Sequence, residues 1–234
     1  LYVMPTEKPV GTRLTDVSTE QGAKLALKMA GLPVLIEKVC SSAELASEFA
    51  TEIGFPVVAK IASPDILHKT EMGGVLLNLQ DASDVKAGFE KLMTRAQQHA
   101  PNAQIDGVLI TPMVKGGVET ILGVQVDPTF GPMILFCAGG TSVELFKDVA
   151  LASAPLTPAS ASALMDKVKS TALLRGWRGS PVADEAAVVN ALCRLSDFAM
   201  AHADQLQSVD INPLLVQQTG AVCLDAVISL QPCP

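Results

Sequence analysis

Short apolar runs of strand length alternate with capped, helix-length stretches along this chain, and Gly or Pro stands at nearly every junction. That alternation confines the fold to layers of strands and helices, α/β or α+β. Ser18 with Gln21 and Ser41 with Glu44 read as capping boxes, opening helices that stop at Gly31 and Gly54. Further helices are expected from Asp81 to His99 and over about 158–170 and 185–202. Strands are expected at about 34–39, 57–61, 74–79, 107–113, 119–126, 133–137, 209–216 and 221–228. Residues 1–17, broken by Pro5, Pro9 and Gly11, read as an arm or linker.

Composition narrows the class. A chain of 234 residues makes one or two domains at about 150 residues each. Hydrophobic residues are 49% but aromatics only 4%, so the core must be aliphatic. With 17 basic and 24 acidic residues the net charge is −7, which argues against a nucleic-acid partner. No apolar run approaches the roughly 18 residues of a membrane span. Five scattered cysteines without a CxxC pair read as reduced thiols of a cytoplasmic protein. The chain opens on Leu1, which suggests a segment of something longer.

Three places carry chemistry. Lys60 interrupts a buried run, Val57-Val58-Ala59-Lys60-Ile61. It either faces outward from a half-exposed strand or points into a cleft where an anion supplies the missing charge. The loop Ser63 to Gly74 joins two buried runs and holds Lys69, Thr70, Gly73 and Gly74. Glycine N–H groups and a lysine can cradle phosphate, although the order is not that of a P-loop, and a plain surface loop is the alternative. Gly139-Gly140-Thr141 is a weaker signal of the same kind. In the C-terminal hairpin, an even loop around Gln218-Thr219 places Asn212 opposite Asp225. That pair offers either oxygen ligands for Mg²⁺ or an Asx-turn pair at strand ends. Glu119 and Glu144 follow paired glycines and are further ligand candidates; His99 and His202 fall at helix ends.

Together these segments resemble the ATP-grasp domain of NDP-forming acyl-CoA synthetases, the β-type part of acetyl-CoA and succinyl-CoA synthetases. The resemblance runs from about Thr19 to Ile228. It is most specific in Gly54-Phe55-Pro56 through Lys60 and on through Ser63-Pro64-Asp65-Ile66-Leu67-His68-Lys69-Thr70 to Gly73-Gly74-Val75. Gly116-Gly117-Val118-Glu119, Asp127-Pro128, Phe130-Gly131-Pro132, Lys147-Asp148-Val149, Ala154-Pro155-Leu156 and Asp210-Ile211-Asn212-Pro213 extend it. It implies an α+β fold of two lobes gripping ATP, here 18–112 and 113–230, with a tail at 231–234. Lys60 and Lys69 would hold the phosphates as the catalytic lysines, with Gly73 and Gly74 in the phosphate loop. Thr111 to Met113 would form the hinge that reads adenine through its backbone, Glu119 would lie near ribose or phosphates, and Asn212 and Asp225 would hold Mg²⁺.

The implied activity is that of the nucleotide half of an ADP-forming acid–CoA ligase. Phosphoryl would pass between Mg-ATP or ADP and a phosphohistidine on a separate CoA-binding, CoA-ligase domain or α-type subunit. Relatives usually carry Glu where Pro112 stands and Arg where Val126, Ala152 and Val227 stand. Related segments also occur as non-catalytic, nucleotide-sensing modules in protein lysine acetyltransferases, the alternative reading. A ligase joining a carboxylate to an amine is a third, for which this chain lacks extra domains.

Overall fold

The computed structural model describes Leu14, residues 17–66, Lys69, and residues 72–139 and 148–231. Expectations placed on His68, Thr70, Glu71, Gly140, Thr141, Glu144 and Lys147 lie outside those residues, as do most of the 1–17 arm and of the 231–234 tail. Two compact units emerge. The smaller holds Thr19–Gln21 and Leu35–Lys115; the larger holds Gly22–Val34 and the described residues from Gly116 onward, with Leu14, Val17 and Ser18. The passage from one to the other at Lys115 and Gly116 lies close to the 112/113 boundary read from sequence, but residues 22–34 belong with the larger unit.

Helix α1 (Glu20–Met29) ends where Gly31 adopts φ +83 and the Leu32 N–H reaches the Leu27 carbonyl. Only glycine takes that left-handed conformation without penalty. In the smaller unit follow β1 (Lys38–Cys40), α2 (Ala43–Ile53), β2 (Val57–Ala62), β3 (Val75–Leu79), α3 (Ala82–His99) and β4 (Gly107–Pro112). The antiparallel sheet runs β1-β4-β2-β3. Val57, Ala59 and Ile61 of β2 join Val108 and Ile110 of β4 in a core with Phe49, Phe89 and Leu92 from the helices. By the two-residue period of a strand, Val58 and Lys60 take the opposite face.

The larger unit continues with β5 (Val118–Asp127), β6 (Gly131–Ala138), β7 (Val149–Ser153), α4 (Pro158–Met165), α5 (Glu185–Ala201), β8 (Leu206–Val216), β9 (Ala221–Cys223) and β10 (Ala226–Leu230). Its sheet runs β10-β8-β5-β6-β7, with β9 paired to β8. Leu122, Val124, Ile134, Phe136, Val209 and Ile211 pack with Leu192 and Leu195 of α5 in one aliphatic core. Of the expected N-terminal arm, Val17 is buried in that core and Leu14 packs against it, its N–H donating to Gln205 Oε1 at 3.0 Å.

Several expectations need correction. Of the strand expected at 34–39, residues 34–37 form only a single parallel bridge, Val34 to Cys223, and β1 begins at Lys38. The cap of α2 is Ser42, which accepts from the Leu45 N–H, so Ser41 and Glu44 are not its capping box. The helix expected to reach 170 stops at Met165, and a 3₁₀ turn follows at Lys169–Leu173. The run at 221–228 breaks between β9 and β10, and β7 was not foreseen. Among the described residues no helix is long and apolar enough to cross a membrane.

Candidate functional site

In the smaller unit the strand lysine and the loop lysine converge on one carboxylate. Lys60 Nζ donates to Glu20 Oε1 at 2.9 Å, and Lys69 Nζ donates to Glu20 Oε2 at 2.6 Å. The Glu20 side chain is 6% exposed and the lysines 13% and 14%. Removing water from such charges is costly unless each finds a partner, and the shared carboxylate supplies it. Beside this triad lies a small pocket lined by Val39, Ser63 and Leu109, with Glu20 and Lys69 in its wall.

The loop carrying Lys69 is tied at several points. Asp65 Oδ2 accepts the Gln104 N–H at 2.7 Å, and Arg95 Nη1 donates to the Gly73 carbonyl at 2.7 Å. The Gly74 N–H donates to the Lys69 carbonyl at 2.7 Å, while the Gly74 carbonyl accepts from the Ile61 N–H. A Cβ on Gly74 would stand 2.9 Å from that Lys69 oxygen, so glycine is needed for the closure. Gly73 sits at φ +68. The structure thus commits the Gly74 N–H to holding Lys69, whereas the sequence reading offered it to an anion. At the expected hinge, Thr111 pairs with Val58 and its hydroxyl donates to the Ile36 carbonyl. The Met113 N–H is taken by the Pro56 carbonyl at 3.0 Å, and Pro112 has no N–H to donate.

In the larger unit the hairpin register decides which side chains meet. Leu214 pairs with Cys223 and Ile211 with Ala226, and between them the Asn212 N–H donates to the Asp225 carbonyl at 3.2 Å. Asn212 therefore lies opposite Asp225. Against β5 the pairing passes from Thr120–Leu214 to Leu122–Ile211, leaving one extra residue in β8 at Asn212-Pro213. A bulge is where a sheet tolerates proline, and it turns side chains out of the regular pleat. Val209 and Ile211 point into the core, and Asp210 and Asn212 take the other face. The hairpin is anchored by Asp184, which caps α5 through the Ala187 N–H and accepts the Gly220 N–H at 2.8 Å.

Asp210 is the electrostatic consequence. Lost hydration, and after it the Asp225 charge, push its carboxyl above the ordinary range. Asn212, Asp225 and Asp210 present hard oxygens of the kind Mg²⁺ takes. Among the described residues no group of three His, Cys, Asp or Glu side chains stands close enough to cage a metal alone. Glu119 is exposed on β5, its carbonyl accepting the Gly139 N–H at 2.6 Å; a Cβ on Gly139 would lie 2.7 Å from that of Glu119.

The structure thus brings Lys60 to Lys69 and Asn212 to Asp225. Lys60, Lys69, Gly73, Gly74, Thr111 and Met113 belong to the smaller unit, Glu119, Asn212 and Asp225 to the larger. Sequence reasoning missed Glu20, Arg95 and Asp210. Asp210 could have been found from its spacing of two before Asn212; Glu20 is forty residues from Lys60 and reads locally as a first-turn acid of α1. Of the positions where the resemblance implies arginine, Val126 and Ala152 pack against the core of the larger unit, whereas Val227 is 52% exposed and lies opposite Asp210.

Known proteins resemble this chain in sequence and fold. The ATP-grasp domain profile matches residues 12–230. The β subunit of ADP-forming acetate–CoA ligase II from Pyrococcus furiosus is 40% identical over 214 residues, 91% of each chain. The chain spans 29% of the length of ADP-forming acetate–CoA ligase I from Archaeoglobus fulgidus and 30% of that of 4-hydroxybutyrate–CoA ligase from Nitrosopumilus maritimus, each 38% identical. A dinucleotide-forming acetyl-coenzyme A synthetase from Ca. Korarchaeum cryptofilum, solved with coenzyme A and Ca-AMPCP, superposes with a TM-score of 0.88 at 37% identity, covering 91% of this chain and 93% of that one. The same synthetase solved with coenzyme A and Mg-AMPPCP, its phosphohistidine segment pointing towards the nucleotide binding site, gives 0.80 at 33% identity, covering 92% and 93%. Sequence, fold and the spacing of its motifs therefore make this chain a member of the ATP-grasp family, in the branch that includes the β subunits of ADP-forming acyl-CoA ligases.

Proposed function

We propose that this chain is the nucleotide-binding part of an ADP-forming acyl-CoA ligase of the cytoplasm. It passes phosphoryl between ATP or ADP and a histidine on a CoA-ligase domain or α-type subunit. The observation that carries the reading is the convergence of Lys60 and Lys69 on one buried carboxylate, which supports a pair of ammoniums acting together on a polyphosphate. In the direction of histidine phosphorylation, a P–N bond to imidazole forms as the bond from the γ-phosphorus to the bridging oxygen of ADP breaks. Such transfers need little covalent help from protein, so positioning and neutralisation are its main work.

Lys60 and Lys69 neutralise phosphate oxygens, and the tied loop of Gly73 and Gly74 keeps Lys69 in place. Carbonyls of Thr111 to Met113 accept from the base amino group, and Glu119 lies by the ribose or phosphates. Asn212 and Asp225 would hold Mg²⁺ through hard oxygens, and the ion would offset phosphate charge. Isothermal titration with Mg-ATP and Mg-ADP tests binding, and incubation with a CoA-ligase subunit, followed by detection of phosphohistidine, tests transfer. Absence of heat with either nucleotide refutes the reading. Binding without any phosphohistidine would place the chain with the non-catalytic nucleotide-sensing modules instead.

A further inference from the structure

We infer that Glu20 is a positioning residue, which fixes the spacing of the Lys60 and Lys69 ammoniums for phosphate. The inference rests on the nucleotide reading above. One carboxylate gives a separate oxygen to each lysine, at 2.9 and 2.6 Å, so the two ammoniums lie no farther apart than one carboxylate and two hydrogen bonds allow. Lys60 stands on β2, held in the sheet by β4; Lys69 stands on a loop. A four-carbon stem on a loop has many rotamers, and ordering it on ligand binding costs affinity. Glu20 removes that freedom before a ligand arrives.

The exposures decide between this role and its opposite, a carboxylate sitting in the phosphate's own place. An anion standing in for a ligand would be the most solvent-facing member of the group. Glu20 is the least exposed of the three, 6% against 13% and 14%, which favours the supporting role. Its carboxylate belongs to the first residue of α1, where the helix N-terminus favours negative charge.

The test compares the wild type with Glu20→Gln, similar in size but unable to accept strongly at both ends. Two readouts are taken: the dissociation constant for Mg-ADP, and the acetylation rates of Lys60 and Lys69 by limiting acetic anhydride, read by mass spectrometry. Loss of a charge-assisted contact to each lysine is expected to weaken Mg-ADP by about tenfold or more, with both lysines labelled several-fold faster. A purely structural role would lower the melting temperature and leave affinity at low temperature unchanged. Glu20→Asp is the second variant should the first fail to fold: its stem is one carbon shorter and withdraws the carboxylate from both ammoniums, so the same weakening is expected. Unchanged or tightened Mg-ADP binding in a folded variant overturns the proposal alone. A wild type that binds no nucleotide overturns the functional reading, and this proposal with it.

Discussion

The Asn212 N–H reaches the Asp225 carbonyl across the β8–β10 hairpin, and that one backbone bond decides which oxygen-bearing side chains share a face. With Asp210 two residues before Asn212, the face gathers two carboxylates and an amide. Replacing Asp225 by Asn keeps an acceptor for the Ala226 N–H while removing a charge that burdens Asp210. In Mg²⁺-free buffer Asp225→Asn should melt no lower than the wild type. With Mg-ADP the wild type should gain more stability than the variant, which paired thermal melts would reveal.

Val227 lies opposite Asp210 on the neighbouring strand and is half exposed. Val227→Arg therefore sets a cation across from a carboxylate held above its ordinary range. An opposite-charge cross-strand pair contributes roughly 0.2–1 kcal/mol. The Asp210 carboxyl should titrate lower than in the wild type, as carboxyl-carbon NMR of the variant can show.

Lys60→Ala removes one of two ammoniums from the proposed phosphate site. A charged hydrogen bond contributes about 1.5–3 kcal/mol, so Mg-ATP binding should weaken by roughly 10- to 100-fold in calorimetric titration. Equal affinity in the variant would place the nucleotide elsewhere.

Gly74→Ala presses a methyl group to 2.9 Å from the Lys69 carbonyl, which must move. Overpacking of this kind costs roughly 1–3 kcal/mol. The variant should lose stability by chemical denaturation, and lose nucleotide affinity because the displaced carbonyl belongs to Lys69 itself.

His202, at the end of α5, packs on the Phe198 ring and has a buried Nδ1 with no hydrogen-bond partner among the described residues. Burial lowers its pKa, and the nearby Asp204 charge offsets this only in part. The unfolded chain therefore binds the proton more readily than the folded one. Stability should be full above about pH 6.5 and fall as pH drops from there toward the lower folded pKa. Melting temperatures between pH 8 and pH 5 should show that decline, and it should flatten in His202→Gln.

Much of this was legible because strands announce themselves by period. Val57, Ala59 and Ile61 are core residues, which left Lys60 as an oddity that the two-residue repeat assigns to the other face. An even hairpin loop likewise put Asn212 across from Asp225. Strand β7 hid because Val149 and Leu151 are substantially exposed, so its apolar residues do not mark a buried face; pairing with β6 defines it. Glu20 hid for a different reason. Its local setting, an acid in the first turn of a helix, is a complete explanation by itself, and nothing in a linear reading links it to lysines forty and forty-nine residues away.

The Lys60–Glu20–Lys69 group also bears on how a ligand would arrive. The two lysines stand inside a chain whose total charge is −7. Beyond a Debye length of about 8 Å at physiological salt their charge is screened, and a net negative chain gives polyanions little long-range pull. Selection then happens on contact, by fit to two held ammoniums rather than by steering from a distance. Nucleic acid, which basic surfaces collect indiscriminately, should find little to hold it here.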